Sequence, residues 1–286
     1  MLRKILVVVA LSAALVFTAA AAPTKAEAAL PVVNMAAVNA AAYVEGKLGN
    51  RRSLGDDSST RVIERALRAK GYRVNINGTY DRTTTAAYAR YQRSLGYKGI
   101  NANGVPGLAS LTRLGARRFT IRNKVVTGGR SDRYGGKRVN TRTRQMLAAA
   151  DRRVPWGISV SQGSYCVFSS PRCAGASAGT HDGGGAVDVR VSGMSSSQRW
   201  RTVQAMRKVG FAAWLRTPSQ CGCWAAHIHA IAIGDADIWQ RNGKMANRDQ
   251  AAAYLRGRDG LSGNRADNTP SRYRTSFTWW ERYAGR

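Results

Sequence analysis

The histidines of this chain lie in two short stretches of sequence, and they constrain its fold more than any other feature. Residues 177–189, Ser-Ala-Gly-Thr-His-Asp-Gly-Gly-Gly-Ala-Val-Asp-Val, contain His181 and Asp188. Residues 224–232, Trp-Ala-Ala-His-Ile-His-Ala-Ile-Ala, contain His227 and His229, and no other histidine exists in the chain. The second stretch is typical of a buried strand, in which alternation places both histidines on one face. The glycines at 183–185 permit the close backbone approach that a chain folding around a site needs.

His181, Asp188 and His229 form a His2Asp set of candidate metal ligands. Catalytic zinc sites usually take three such protein ligands and leave a fourth position open. The alternative is a surface glycine loop, a solvated carboxylate and two edge-strand histidines. We favour the metal site, because a chain with so few histidines would otherwise have to concentrate them by accident.

The spacing of these residues resembles one family of zinc peptidases. Gly184, Ala186 and Asp188 follow His181 at intervals of three, five and seven, and a strand with His-x-His comes later. The pattern is similar to that of the peptidases that group D-alanyl-D-alanine carboxypeptidases with lysostaphin-like cell-wall endopeptidases. The resemblance implies that His181, Asp188 and His229 bind Zn2+, that His227 is a catalytic histidine, and that the substrates are peptide stems of peptidoglycan.

The sequence differs from that family pattern at two positions. Many carboxypeptidases of the group have a general-base Asp or Glu three residues before the last ligand, where this chain has Ala226. Many also have Ser two residues before the first histidine, where this chain has Gly179. The identity of the general base is therefore open between His227 and nearby carboxylates, of which Asp182 and Asp235 are the alternatives.

Residues 158–165 are predicted to form a strand that leads toward the site. In the related peptidases the equivalent strand faces the substrate and often ends with an Arg that holds a carbonyl oxygen. Gln162, Ser164 and Tyr165 occupy that region here and are the predicted substrate-binding residues. The residue that holds the substrate carbonyl oxygen in this chain is either Tyr165 or an Arg from elsewhere in the chain.

The N-terminal part of the chain contains a targeting signal and an internal repeat. Residues 1–28 have the basic start, the apolar run and the small-x-small end of a signal peptide, with an uncleaved membrane anchor as the alternative. Residues 29–56 are predicted as a linker or short helix. In residues 57–115, Asn77-Gly78 and Asn103-Gly104 each precede a hydroxyl residue seven positions after the Asn, Thr84 and Ser110, which we expect to cap a helix.

Residues 57–115 also resemble the peptidoglycan-binding domain found beside wall hydrolases, and a generic helical domain is the alternative. The resemblance implies a three-helix bundle. The residues that carry it are Leu67, Gly71, Tyr72, Asn77, Gly78, Tyr91, Gln92, Asn103, Gly104, Val105 and Leu111.

The C-terminal part of the chain is predicted as a peptidase domain. Residues 116–138 form a linker and residues 139–266 the domain, with helices over 141–152, from a cap at Ser197 through Lys208, and near 250–255. A strand over 211–215 is expected to pair with the His-x-His strand. Residues 267–286 form a basic aromatic tail that we expect to pack back onto the domain, with sugar stacking as the alternative. The fold class is α+β: an N-terminal three-helix bundle followed by a small, largely antiparallel sheet with flanking helices.

The formal net charge of +29 predicts adhesion to polyanions. The arginines are scattered rather than clustered in a stripe, which argues against specific nucleic-acid binding and favours anionic wall polymers; a compositional bias without function is the alternative. Cys166, Cys173, Cys221 and Cys223 indicate disulfides in an exported protein. A Cys221–Cys223 bridge would be tight, so pairing toward Cys166 and Cys173 is attractive, although the sequence does not decide, and a cysteine zinc site is a further alternative.

These observations predict a secreted, cell-wall-associated zinc peptidase that acts on peptidoglycan stems. We expect a monomer with no membrane attachment after signal cleavage. The favoured activity is D-alanyl-D-alanine carboxypeptidase. The alternatives are a peptidoglycan endopeptidase, a non-catalytic wall-adhesion protein and a charge-driven nucleic-acid binder.

Overall fold

A computed structural model describes residues 29–48, 57–165, 179–235, 237 and 247–285 of the chain. The predicted signal peptide lies outside the described residues. Two short 3-10 helices, at Gly99–Ala102 and Ser271–Tyr273, lie between the longer elements. In chain order the elements are β1 (Val32–Asn34), α1 (Met35–Leu48), α2 (Asp57–Ala69), α3 (Arg82–Ser94), α4 (Leu108–Gly115), β2 (Thr120–Arg122), β3 (Asp132–Tyr134), β4 (Lys137–Val139), α5 (Thr141–Asp151), β5 (Val160–Gln162), β6 (Ala186–Arg190), α6 (Ser196–Lys208), β7 (Phe211–Arg216), α7 (Pro218–Cys221), β8 (His227–Ala232), α8 (Asn247–Leu255) and α9 (Trp280–Tyr283).

A four-stranded sheet in the order β5-β6-β8-β7 is the centre of the C-terminal part. Its neighbouring strands all pair antiparallel, which confirms the predicted α+β class and the pairing of β7 with the His-x-His strand. One face of the sheet packs against α5 and α6 through a core that includes Val187, Val189, Phe211 and Ile228. The opposite face carries the candidate site.

The helices of the N-terminal part begin where the sequence predicts, but with different caps. Asn77 and Asn103 lie in turns that precede α3 and α4. The cap of α3 is Asp81, whose Oδ1 accepts a hydrogen bond from the Thr84 backbone N–H at 2.8 Å. The predicted cap, Thr84, therefore lies inside the first turn, where its hydroxyl donates to Glu64 at 3.3 Å. Gly107 occupies the cap position of α4, and Ser110 hydrogen-bonds back to the Gly107 carbonyl.

In residues 29–48, the described part of the segment predicted as a linker over 29–56, the structure shows the short-helix alternative. α1 is buried over its first nine residues, Met35 to Tyr43. It contacts α2 and α3 on one side and α8 on the other. One hydrophobic core consequently includes Leu67 of α2 and Trp214 of β7. The division into two domains stays a prediction, and α1 belongs to the packing of both parts.

The segment predicted as a linker over 116–138 also contains ordered elements. β2 pairs in parallel with β1, and β3 with β4 forms an antiparallel hairpin. Phe119 and Val125 in this segment are buried in the core that contains α1. The aromatic tail packs as expected, since Tyr273 and Trp280 are buried and Glu281 forms a buried ion pair with Arg142 at 2.7 Å.

Cys221 and Cys223 are bonded to each other, which corrects the preference for pairing toward Cys166 and Cys173. The intervening Gly222 adopts a φ of +72°, and the resulting turn brings the two cysteine Cα atoms to 5.1 Å. Cys166 and Cys173 lie outside the described residues. In the described ranges, no helix combines the length and the apolar composition that a membrane span requires.

Candidate metal centre

Strand pairing brings the two histidine stretches together. Asp188 on β6 is the direct cross-strand partner of His229 on β8, so their side chains share one face of the sheet. His181 lies in the turn that enters β6. That turn is tight at Gly184, where a Cβ atom would lie 2.6 Å from the Tyr165 hydroxyl and 2.7 Å from the Asn140 amide nitrogen. The glycine run therefore allows the turn to pack closely beside the site.

Nitrogen atoms of all three histidines converge on one oxygen of Asp188. From Asp188 Oδ1, His229 Nδ1 lies at 2.8 Å, His181 Nε2 at 3.3 Å and His227 Nε2 at 3.8 Å. The ligand atoms of His181, Asp188 and His229 all lie within 4.8 Å of one another. This group could hold a metal ion, as the sequence predicts.

The second nitrogen of each imidazole faces a protein acceptor. His181 Nδ1 donates to the Gly163 carbonyl at 2.8 Å, and His227 Nδ1 donates to the Ala225 carbonyl at 2.7 Å. His229 Nε2 donates to the side-chain Oε1 of Gln250 on α8 at 2.7 Å. Such acceptors fix the tautomer and the ring orientation of a metal-binding histidine, because the nitrogen that faces the ion must carry a lone pair.

His181 and His229 are both buried, and their burial is compatible with a metal site. Among the described residues, buried His181 Nε2 meets no hydrogen-bond geometry, although it lies 3.3 Å from Asp188 Oδ1. Buried polar atoms in proteins are almost always paired, so an unpaired imidazole nitrogen directed at a carboxylate suits a ligand atom. Donor chemistry agrees, since two imidazoles and one carboxylate form a set that binds transition metals.

Electrostatics keep two of the three candidate ligands, Asp188 and His229, in the forms that bind cations. Burial acts to raise the pKa of the Asp188 carboxyl, but His181 and His229 outweigh it and hold that pKa well below its usual range. Burial lowers the pKa of His229 to about 4, so its imidazole is neutral at pH 7. Burial also acts to lower the pKa of His181, but the neighbouring Asp188 carboxylate reverses the effect and raises it. A bound cation would compete with protonation of His181.

His227 differs from the two candidate histidine ligands in exposure. Its side chain is 18% exposed, against 1% for His181. Its Nε2 points toward the same carboxylate from the longest of the three distances. His227 therefore lies at the open side of the group, where a substrate would approach.

The predicted substrate-binding residues have different surroundings. Gln162 is the cross-strand partner of Asp188, and its Nε2 is a buried donor without a partner. The Ser164 hydroxyl donates to the Ala186 carbonyl at 2.7 Å. The Tyr165 hydroxyl donates to Asp237 at 2.9 Å, and burial raises its pKa. Of these three residues, Gln162 has a side-chain donor that no described residue accepts from.

Asp235, one of the alternative bases, is fully buried beside α1 rather than open to the site. Its oxygens accept from Asn140 at 2.6 Å and from the Asp237 backbone N–H at 2.9 Å. Burial raises its pKa to about 6. Asp182 follows His181 directly, and its backbone N–H donates to the Gly179 carbonyl at 3.2 Å.

Two neighbours of His229 were not predicted from the sequence. Gln250 comes from α8, and Trp214 on β7 stacks on the His229 ring with 6.3 Å between the ring centroids. The pairing of the 211–215 strand with the His-x-His strand could have indicated Trp214. No local pattern signals Gln250, because its contact depends on how α8 docks.

The chain matches no protein-family model, no curated protein and no solved structure. What it can do is therefore argued from the site itself and from the resemblance of its motif.

Proposed function

We propose that the chain is a secreted zinc-dependent peptidase that hydrolyses peptide stems of bacterial peptidoglycan, of the D-alanyl-D-alanine carboxypeptidase type. The observation that carries the proposal is the convergence of three imidazole nitrogens on Asp188 Oδ1, with a protein acceptor behind each ring. Zinc is the favoured ion because it is commonly held by His and carboxylate ligands with one position open. When bound, zinc supplies a Lewis acid that lowers the pKa of water and polarises a carbonyl group.

His181, Asp188 and His229 hold the ion in this proposal, and His227 moves the proton. A water oxygen adds to the scissile carbonyl carbon, and the C–N bond then breaks. His227 Nε2 takes the proton from the water and passes it to the leaving amine, since its Nδ1–H is held by Ala225. Gln162 Nε2 donates to the carbonyl oxygen as negative charge develops there.

Residues 57–115 and the basic surface serve in wall attachment. The support is the resemblance of the Asn-Gly repeat to peptidoglycan-binding domains and the net charge of +29. A non-catalytic adhesion protein would share both features. The metal group distinguishes the proposals, because adhesion alone requires neither the His2Asp geometry nor an ion.

Metal analysis combined with hydrolysis tests the proposal. His181→Ala, Asp188→Ala and His229→Ala should each lose zinc and activity, whereas Asp132→Ala, at a partly exposed carboxylate away from the site, should keep both. His227→Ala should keep its zinc and lose about 10²–10⁴-fold in rate, the range of general acid-base catalysis. Mass spectrometry of purified peptidoglycan fragments would read the products.

Three outcomes would contradict this proposal in part or in full. Full zinc occupancy in a ligand variant would remove that residue from the ligand set. Near wild-type turnover in zinc-loaded His227→Ala, with Asp182→Asn inactive, would transfer the proton to that carboxylate. Intact stems after incubation with the zinc-loaded protein would exclude the peptidase and favour adhesion.

A further inference from the structure

Arg216 is a buried cation whose two terminal nitrogens have no hydrogen-bond partner in the described part of the chain, and it lies beside the candidate metal centre. Only 2% of the residue is exposed, and among the described residues neither Nη1 nor Nη2 has a hydrogen-bond partner. Arg216 is the last residue of β7 and the direct cross-strand partner of His227. Residues paired in this way have Cβ atoms about 4.5–5.5 Å apart on the same face of a sheet. The unpaired guanidinium therefore belongs to the face that carries the site.

The acidic residues nearest to Arg216 do not satisfy it. Burial lowers its pKa to about 10, and Asp259, Asp188 and Asp267 only partly oppose that effect. Asp267 is paired with Arg207 at 2.8 Å, and Asp188 faces the histidines. Asp259 Oδ1 accepts from the Leu261 backbone N–H at 3.0 Å. A buried charge is costly unless it is paired and hydrogen-bonded, so this position calls for an anion.

The surroundings of the guanidinium suit a small planar anion. Its central carbon lies 4.9 Å from the centre of the Trp214 ring. Gly260 closes over the pair, since a Cβ atom there would lie 3.0 Å from the Trp214 ring and 3.4 Å from Arg216 Nη2. A guanidinium fork binds a carboxylate through two parallel hydrogen bonds, and it is less strongly hydrated than an ammonium. Aromatic and backbone packing around the fork thus favours a carboxylate.

We propose that Arg216 binds the free terminal carboxylate of the peptide substrate. This inference rests on the proposed peptidase function and deepens it, because a carboxylate subsite next to His227 selects the last peptide bond of a stem. The terminal carboxylate and the scissile carbonyl are one residue apart, about 3.5 Å along an extended chain. Arg216 is the diagonal neighbour of His229 across the β7–β8 pair, and such neighbours are about 7–8 Å apart, so a long Arg side chain can reach that carboxylate.

Two synthetic stem peptides that end in D-Ala-D-Ala and differ only in a C-terminal acid or amide test this subsite. The zinc-loaded protein should favour the acid by about 10–100-fold in kcat/KM, the value of one to two charge-assisted hydrogen bonds. Arg216→Met should remove that preference by lowering kcat/KM for the acid, and Arg216→Lys should retain part of it. Arg190→Met is the matched control, because Arg190 pairs with His227 from the other side and is exposed.

Calorimetric titration of the metal-free protein with the same peptides gives a readout that does not depend on turnover. The native protein and Arg190→Met should bind the acid peptide more tightly than the amide peptide. Arg216→Met should bind the two peptides equally. Arg216→Met should also keep its Tm, because it removes an unpaired buried charge. If Arg216→Met does not fold, Arg216→Lys replaces it in both assays, and we expect a weakened preference for the acid peptide.

The two proposals fail in different ways. If the native protein cuts acid and amide equally, the carboxylate subsite is wrong while the peptidase stands. If it cuts neither peptide, the peptidase proposal fails, and the titration still decides the subsite. Loss of the acid preference in Arg190→Met rather than Arg216→Met would assign the carboxylate to Arg190. A further outcome would make Arg216 a structural partner of Asp259. In that outcome Arg216→Met lowers the Tm, adding Asp259→Asn restores the Tm, and the acid preference stays intact.

Discussion

Gln250 should set the affinity of the site for its ion although it contributes no ligand. Its Oε1 accepts from His229 Nε2 at 2.7 Å, and the residue is 7% exposed. Gln250→Leu would leave the imidazole N–H buried without an acceptor, which costs about 1–3 kcal/mol. Loss of such an acceptor typically lowers metal affinity about 10–100-fold, or about 1.4–2.7 kcal/mol, separately from this cost to fold stability.

Zinc affinity measured by competition with a chelating dye would check this prediction. We expect a Kd about 10–100-fold weaker in Gln250→Leu and a tighter one in Gln250→Glu, because a carboxylate acceptor makes the imidazole a stronger ligand. Gln204→Leu is the matched control, since it makes the same change on the partly exposed face of α6. A Kd in Gln250→Leu within twofold of the native value would refute the idea that α8 positions the ligand.

Two further predictions concern stability. Burial raises the pKa of Glu64 from 4.5 to about 7, so the folded chain holds a proton that the unfolded chain has lost, and the free energy of unfolding should fall as pH rises from about 4.5 to about 7. Urea denaturation at several pH values should show that this fall is smaller by about 1–3 kcal/mol in Glu64→Gln. An unchanged dependence of the free energy of unfolding on pH would exclude Glu64 as the source of the fall. Glu281→Ala should destabilise the protein by about 3–5 kcal/mol, because it leaves Arg142 buried and unpaired. Its neighbour Arg282→Ala, at an exposed side chain, should stay near the native Tm in the same thermal scan, and equal losses would contradict a specific role of the ion pair.

The sequence predicts the sheet and the metal group well because strand alternation is a local signal. The paired positions of Asp188 and His229 follow from two strands that each place a buried face toward the same core. The sequence also predicts the helices α5, α6 and α8, although the capping box of α6 uses Ser195 rather than Ser197.

α1 was harder to predict for a physical reason. Its sequence, Met-Ala-Ala-Val-Asn-Ala-Ala-Ala-Tyr-Val-Glu-Gly-Lys-Leu, is rich in alanine and lacks the polar face of an amphipathic helix. A helix that is buried all round shows no 3.6-residue alternation between apolar and polar residues. The Cys221–Cys223 bond and the Gln250 contact were missed for a related reason, since each depends on a backbone turn or a docking geometry that residue types alone do not determine.

The N-terminal helices support the site through one face of the central sheet. Along β8, alternation places His227, His229 and Ile231 on the same side. Ile231 belongs to the core that contains α1 and Ala251 of α8, whereas His229, two residues earlier, binds Gln250 of the same helix. The core and the metal group therefore meet on a single strand. Because α8 packs against α1, the helix that orients the His229 ring is itself held by the N-terminal part of the chain.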